Sequence, residues 1–215
     1  MRFLLLSFIF VLHLNSYSQS DSTVSGFEAG LHLGVDRSIL AFRLNDDFAE
    51  NVTDKYSITG QNAVGFTVGL TAAWNLSDRL DQRLNIGGTI NNTSLTYDFA
   101  ERLPLTIDVF PIALNANSLI TYSWKDSPST WTTSAGIGIL IDLPTQSAHL
   151  PGIKAHDIQA KIGFGRRAQG RFAVLNYELF YSHSLFNLIG GTDDIYNVTL
   201  RSVQRHMITL VFTGY

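Results

Sequence analysis

Apolar and polar residues alternate with a period of two through most of the chain beyond residue 25, which is the pattern of strands with two unlike faces. The longest run lies between Ile112 and Asp142. Ile112, Leu114, Ala116, Ile120, Tyr122 and Trp124 fall on one parity, and Ala113, Asn115, Asn117, Thr121 and Ser123 on the other. After Lys125-Asp126-Ser127-Pro128-Ser129-Thr130 the alternation resumes, with Trp131, Thr133, Ala135, Ile137, Ile139 and Ile141 opposite Thr132, Ser134, Gly136, Gly138 and Asp142. A hairpin of two long strands, apolar on one side and with Trp beside the turn in each, has the form of a membrane-spanning pair whose aromatics lie at the headgroup level.

The same pattern predicts further strands. Phe27, Ala29, Leu31, Leu33 and Val35 alternate with Glu28, Gly30, His32, Gly34 and Asp36, and a second strand runs from Val64 to Trp74. A third covers Leu84 to about Tyr97, with a parity slip at Asn91-Asn92 that marks a bulge or the membrane boundary. The fourth enters at Leu105, Ile107 and Val109, changes parity at Phe110-Pro111, and continues into the hairpin. Ile158 to Gly165, Ala173 to Ser182 and Val203 to Tyr215 complete the set. Connections alternate between long or moderate (41–61, a moderate one at 98–104, 143–155, 186–202) and short (77–83, 125–130, and the basic turn Arg166 to Arg171). An even strand number with short turns at one end and long loops at the other predicts an all-β fold: an eight-stranded antiparallel up-and-down transmembrane β-barrel occupying 26–215.

Residues 1–18 carry Arg2, an apolar run from Phe3 to Leu14 and the small-residue stretch Ser16-Tyr17-Ser18, which predicts a signal peptide cleaved before Gln19, with 19–25 as a short lead-in. The apolar run is too short for a comfortable transmembrane helix, and no later stretch is apolar for long enough, so any membrane crossing falls to strands. The absence of cysteine removes disulfides, thiol catalysis and thiolate metal sites. A formal charge of −3 points to no nucleic-acid partner.

Parity then assigns the faces. Glu28, His32, Asn115, Asn117, Gln159, Lys161, Asn176 and Glu178 are expected inside, as a hydrogen-bonded network filling the lumen, with Lys161 and Glu178 as a cross-lumen pair. Trp74, Trp124, Trp131 and Tyr215 are expected to form an aromatic girdle at the periplasmic end. Arg166, Arg167 and Arg171 read as a solvated turn near anionic headgroups. His32, His149, His156, His183 and His206 show no metal-ligand spacing, and no G-x-S-x-G is present, so no cofactor, metal or catalytic residue is expected. Two other classes follow from other arrangements of the same residues. A secreted lipocalin-like barrel would turn Leu, Ile and Trp inward around an apolar ligand, and a lipid-modifying barrel enzyme would use His183 and Ser184 at the rim.

Four stretches together resemble the PorT-like outer-membrane β-barrel proteins of Bacteroidota. They are Phe27-Glu28-Ala29-Gly30-Leu31-His32-Leu33-Gly34, Asp108-Val109-Phe110-Pro111-Ile112-Ala113-Leu114, Ala135-Gly136-Ile137-Gly138, and the run from Leu175 to Leu188. The resemblance implies residence in the outer membrane, contact with its lipid, and a structural, anchoring or secretion-accessory role without catalysis. The loops 41–61, 143–155 and 186–202 are the surface through which such a barrel is expected to meet envelope or secretion-machinery proteins. One member of that family is linked to type IX secretion and gliding.

Overall fold

The computed structural model describes residues 26–45, 56–99, 102–108, 111–124, 129–143, 154–169, 173–189 and 200–215. The signal segment 1–18 and the lead-in 19–25 lie outside them. The strands are β1 (Phe27–Leu44), β2 (Tyr56–Gln61), β3 (Ala63–Ser77), β4 (Leu80–Ile90), β5 (Ser94–Phe99), β6 (Arg102–Asp108), β7 (Ile112–Ser123), β8 (Ser129–Asp142), β9 (His156–Gln169), β10 (Val174–Ser184) and β11 (Leu200–Gly214). Eight of them close into an antiparallel barrel in the order β1-β11-β10-β9-β8-β7-β4-β3. Closure pairs the first strand with the last, Leu31 standing opposite Gly214 and Arg43 opposite Ser202, so the barrel has no open edge. The end that carries Phe27, Gly214 and the tight connections is here termed the turn end, and the opposite one the loop end.

Burial follows the period of two, and its sense decides the nature of the barrel. Outward-facing Leu31, Phe66 and Ile137 are 64%, 63% and 55% exposed, whereas inward-facing Asp36, Gln159, Glu178 and Arg205 are 1%, 0%, 2% and 0% exposed. Polar groups are inside and hydrocarbon is outside, the reverse of a soluble barrel. The lipocalin-like arrangement is therefore not the one this chain adopts.

Several predicted boundaries are corrected. The stretch expected as one strand from Leu84 to Tyr97 is two elements: β4 stays in the barrel, while β5 joins β2 and β6 in a separate three-stranded sheet of order β2-β5-β6. The chain leaves the barrel at Asn91, whose amide donates to Asp36 Oδ1 at 3.1 Å and to Ser38 Oγ at 2.5 Å. Asn91 Oδ1 in turn accepts from Thr93 N at 3.1 Å, a local turn that redirects the backbone. Residues 105–108 do not begin a barrel strand, because β6 pairs with β5 and β7 alone completes the wall beside β4, and Val109 lies outside the described residues. The long loop 41–61 contains β2 and the last turnward-to-loopward rungs of β1, and the supposed turns 77–83 and 166–171 shrink because β4 begins at Leu80 and β9 runs to Gln169.

The apolar core lies inside the loop end. Leu40 of β1, Ala113 of β7, Leu140 of β8 and Val203 of β11 meet Leu95 and Tyr97 of β5, with Leu188 and Leu200 closing the group. The small sheet thus contributes its inner face to a hydrophobic stopper in the barrel mouth. Lower down, Leu119, Phe180 and Val211 form a second apolar cluster. Glycines make room for the bulky interior groups: a Cβ on Gly163 would lie 2.5 Å from the Phe180 ring, and one on Gly165 would lie 2.3 Å from Glu178 Cγ.

Candidate functional site

Among the described residues the polar lumen gathers most of the buried charged and polar side chains, and it is arranged in three tiers. At its centre Arg83 of β4 and Glu178 of β10 form a bidentate pair, Nη1 to Oε2 and Nη2 to Oε1, both at 2.6 Å. The remaining valences are also used. Arg83 Nε donates to Thr121 Oγ1 at 2.7 Å and Nη2 to Ser134 Oγ at 2.5 Å, while Glu178 accepts from Ser134 at 2.7 Å and from Asn176 Nδ2 at 3.0 Å. Two ions taken out of water hold together only when their other hydrogen-bonding positions are filled, and here they are.

At the turn end Arg167 of β9 reaches Glu28 at 2.5 and 2.7 Å and Asp81 at 3.1 Å. The Tyr215 ring lies 6.0 Å from the same guanidinium, a cation–π contact. Toward the loop end Arg205 of β11 is fully buried and donates to Ser38 Oγ from Nε at 3.0 Å and from Nη2 at 2.8 Å. Asp36 accepts from Thr67 at 3.2 Å, and Asp157 accepts from Gln159 at 2.6 Å and from Ser184 at 2.9 Å. Between the tiers His32 Nδ1 meets Thr71 Oγ1 at 3.0 Å and Asn115 Nδ2 donates to Thr89 Oγ1 at 2.8 Å, with Asn117 3.4 Å from Asn115 Oδ1.

A cavity of about 30 Å³ is left beside Lys161, lined also by His32, Asn85, Asn115, Asn117 and Thr209. Asn85 Oδ1 and Thr209 Oγ1 are buried without a protein partner. That space suits one or two hydrogen-bonded waters and is far below the several hundred Å³ of a small-molecule pocket.

Glu28, His32, Asn115, Asn117, Gln159, Lys161, Asn176 and Glu178 all face the lumen, but the pairing expected of Lys161 and Glu178 does not form. Lys161 stands opposite Ser182, while Glu178 stands opposite Gly165, four residues or about 13 Å further along β9. Glu178 is instead neutralised by Arg83, which the sequence pattern had placed in a turn. Asp36, Asp81, Asp157, Arg83, Arg167 and Arg205 complete the network. Asp36 sits on the polar parity of β1, which is the sequence signal for it, whereas Arg205 shares its parity with Val203, Met207 and Val211, so alternation alone does not mark it. Arg167 is corrected from a solvated turn residue to a lumenal one; Arg166, its neighbour, faces outward, and Arg171 lies outside the described residues.

Of the expected girdle, Trp74, Trp124 and Trp131 are exposed at the turn end. Trp124 Nε1 donates to Thr133 at 2.9 Å, and Trp131 stacks on Phe164 at 5.0 Å beneath Arg166. Tyr215 is not in that ring. It shares the inward parity of Thr213 and turns to the lumen mouth against Arg167.

His183 and Ser184 are consecutive strand residues and so project to opposite faces. Ser184 is buried against Asp157 and Arg205, whereas His183 lies outside with its ring 4.6 Å from that of His206. They do not form a nucleophile–base pair. Among the described residues no group of three or more His, Asp or Glu side chains is placed to hold a metal ion; His149 lies outside them.

No family model matches the chain, and no curated protein matches it. Among solved structures, the outer membrane protein OprG of Pseudomonas aeruginosa matches at 14% identity with a TM-score of 0.48, covering 92% of this chain and 97% of that one. The N-terminal β-barrel domain of Pseudomonas aeruginosa OprF matches at 12% identity and TM-score 0.38, over 87% of this chain and 99% of that one. The outer membrane enzyme PagL matches at 10% identity and TM-score 0.41, over 85% and 97%. These are likenesses of overall form, and they lend the chain no activity.

Proposed function

We propose that the chain is a small integral outer-membrane β-barrel with a sealed lumen, serving a structural, anchoring or secretion-accessory role through its loop end and carrying out no catalysis of its own. One observation carries this: a closed barrel with a predominantly apolar exterior around a buried polar interior. In water the exposed leucines, isoleucines and phenylalanines would form an apolar patch far larger than monomeric soluble proteins carry. In a bilayer the same surface is solvated. On β3 the outward run from Val64 to Trp74 spans 11 residues, which matches the length that a tilted strand needs to cross the hydrocarbon layer.

The stacked ion pairs and the apolar stopper support a plug rather than a pore, so the loop end is the part left to meet other molecules. The resemblance to PorT-like proteins adds envelope and secretion-machinery proteins as the class of partner. The test is expression with its export signal, followed by membrane fractionation and electrophoresis in detergent with and without heating. Recovery in the outer-membrane fraction with heat-modifiable migration supports the proposal; a soluble, detergent-independent protein refutes it.

A further inference from the structure

On three adjacent strands the outward apolar run stops at the same height. Leu31, Leu33 and Val35 of β1 give way to Arg37, Leu210 and Ile208 of β11 give way to His206, and Leu179 and Tyr181 of β10 give way to His183. The register sets these side by side: Arg37 is opposite Ile208, Ile39 is opposite His206, and His206 is opposite His183. Arg37 is thus the diagonal neighbour of His206, within reach of a long side chain. The Tyr181 hydroxyl lies 2.7 Å from His206 Nδ1. When that hydroxyl donates, the neutral His206 ring carries its hydrogen on Nε2, which is then a donor itself.

The charge balance here differs from that of the lumen. Every lumenal guanidinium lies close to a carboxylate, yet Arg37 has no ion pair among the described residues. The outward positions of β1, β9, β10 and β11 around it carry no Asp or Glu. Among the described residues the patch is therefore a group of donors with one positive charge and no carboxylate paired to it, set where the apolar band ends. We infer that Arg37, His183 and His206, with Tyr181 orienting His206, bind the phosphate of a lipid headgroup in the leaflet at the loop end. This rests on the membrane reading above, since only there does headgroup phosphate lie at this height. A guanidinium and two imidazoles supply several N–H donors to one phosphate, and charge-assisted bonds of that kind are the strong ones.

The experiment uses the full mature barrel inserted in phosphatidylcholine vesicles or nanodiscs, into which diphosphoryl lipid A or its dephosphorylated counterpart is introduced. Retained lipid is counted by native mass spectrometry, and the imidazole resonances of His183 and His206 are followed by NMR. Expected are retention of the phosphorylated lipid over the dephosphorylated one and a fall of about tenfold in apparent affinity in the Arg37→Gln/His206→Gln double variant. Arg43→Gln removes an equal charge six residues, roughly 20 Å, further along the same strand and is expected to leave retention unchanged. Equal retention of both lipids, or equal loss in both variants, overturns the inference, as does an equal response to millimolar inorganic phosphate, which would make this a site for the free ion. Failure of the unmodified barrel to insert in phosphatidylcholine overturns the membrane reading itself, whereas insertion without phosphate preference overturns only the lipid site.

Discussion

Arg83 and Glu178 stand on diametrically opposite strands and clasp each other across the lumen through two bonds of 2.6 Å. The pair is a strut that ties β4 to β10 without passing through any intervening strand. Removing one partner leaves the other as a buried, uncompensated charge. Glu178→Ala is expected to lose roughly 3–5 kcal/mol of stability, and the double replacement Arg83→Met/Glu178→Leu to recover most of it. Urea unfolding of the vesicle-inserted barrel, followed by tryptophan fluorescence, measures both; a single variant as stable as the parent would show that the strut bears no load.

How much of this could be read from the chain depends on which physical rule governs each feature. The inside-out barrel was readable because the two faces of a strand alternate with a period of two, and eight stretches kept that period. Arg83 was hidden because Ser77-Asp78-Arg79 opens a polar run that looks like a turn, although Asp81 and Arg83 are lumenal strand residues. Its partner could not be found by adjacency either, since contacts across a barrel depend on closure and stagger rather than on sequence neighbours. The pairing expected of Lys161 and Glu178 failed for that reason. The parity slip at Asn91-Asn92 marks where the chain departs from the wall, but β5 and β6 continue an alternating texture, so the separate sheet shows only in the strand pairing and in the side-chain bonds of Asn91. Topology puts Tyr215 at the girdle's end of the barrel, but its parity with Thr213 turns it inward.

The glycines of the wall are not equivalent. A Cβ at Gly165 would fall 2.3 Å from both Glu178 Cγ and the Tyr177 carbonyl oxygen, while one at Gly88 would meet nothing within 4 Å. Gly165→Ala is therefore expected to push Glu178 off Arg83 and cost about 1–3 kcal/mol, and Gly88→Ala to be close to neutral. Comparing their unfolding midpoints with the parent protein checks this, and equal effects at the two positions would contradict it.

The outer band carries a depth-dependent expectation. Ile137 lies midway between Trp131 and Ile141 on the outward face of β8, and His156 lies at the loop-end limit of β9. Ile137→Lys is expected to cost about 2–4 kcal/mol in a bilayer and His156→Lys no more than about 1 kcal/mol. Folding yield into vesicles of graded thickness reads the difference; equal penalties would mean that the band does not face hydrocarbon.

The stopper in the loop end separates two kinds of stability within one chain. Leu95 of β5 is fully buried against Leu40, Ala113, Leu140 and Val203, so it fastens the small sheet to the barrel mouth. The barrel strands themselves are held by a ladder that closes on itself and that Leu95 does not join. Leu95→Ala should remove about 2–5 kcal/mol, the usual range for a buried leucine. That loss should fall on the β2-β5-β6 sheet and leave the β7–β8 ladder intact. Hydrogen exchange resolves the two: amides of β5 should exchange faster in the variant while those of Ile120 and Ile137 keep their protection. Faster exchange throughout the barrel would mean instead that the stopper holds the wall together, and that sheet and barrel unfold as one unit.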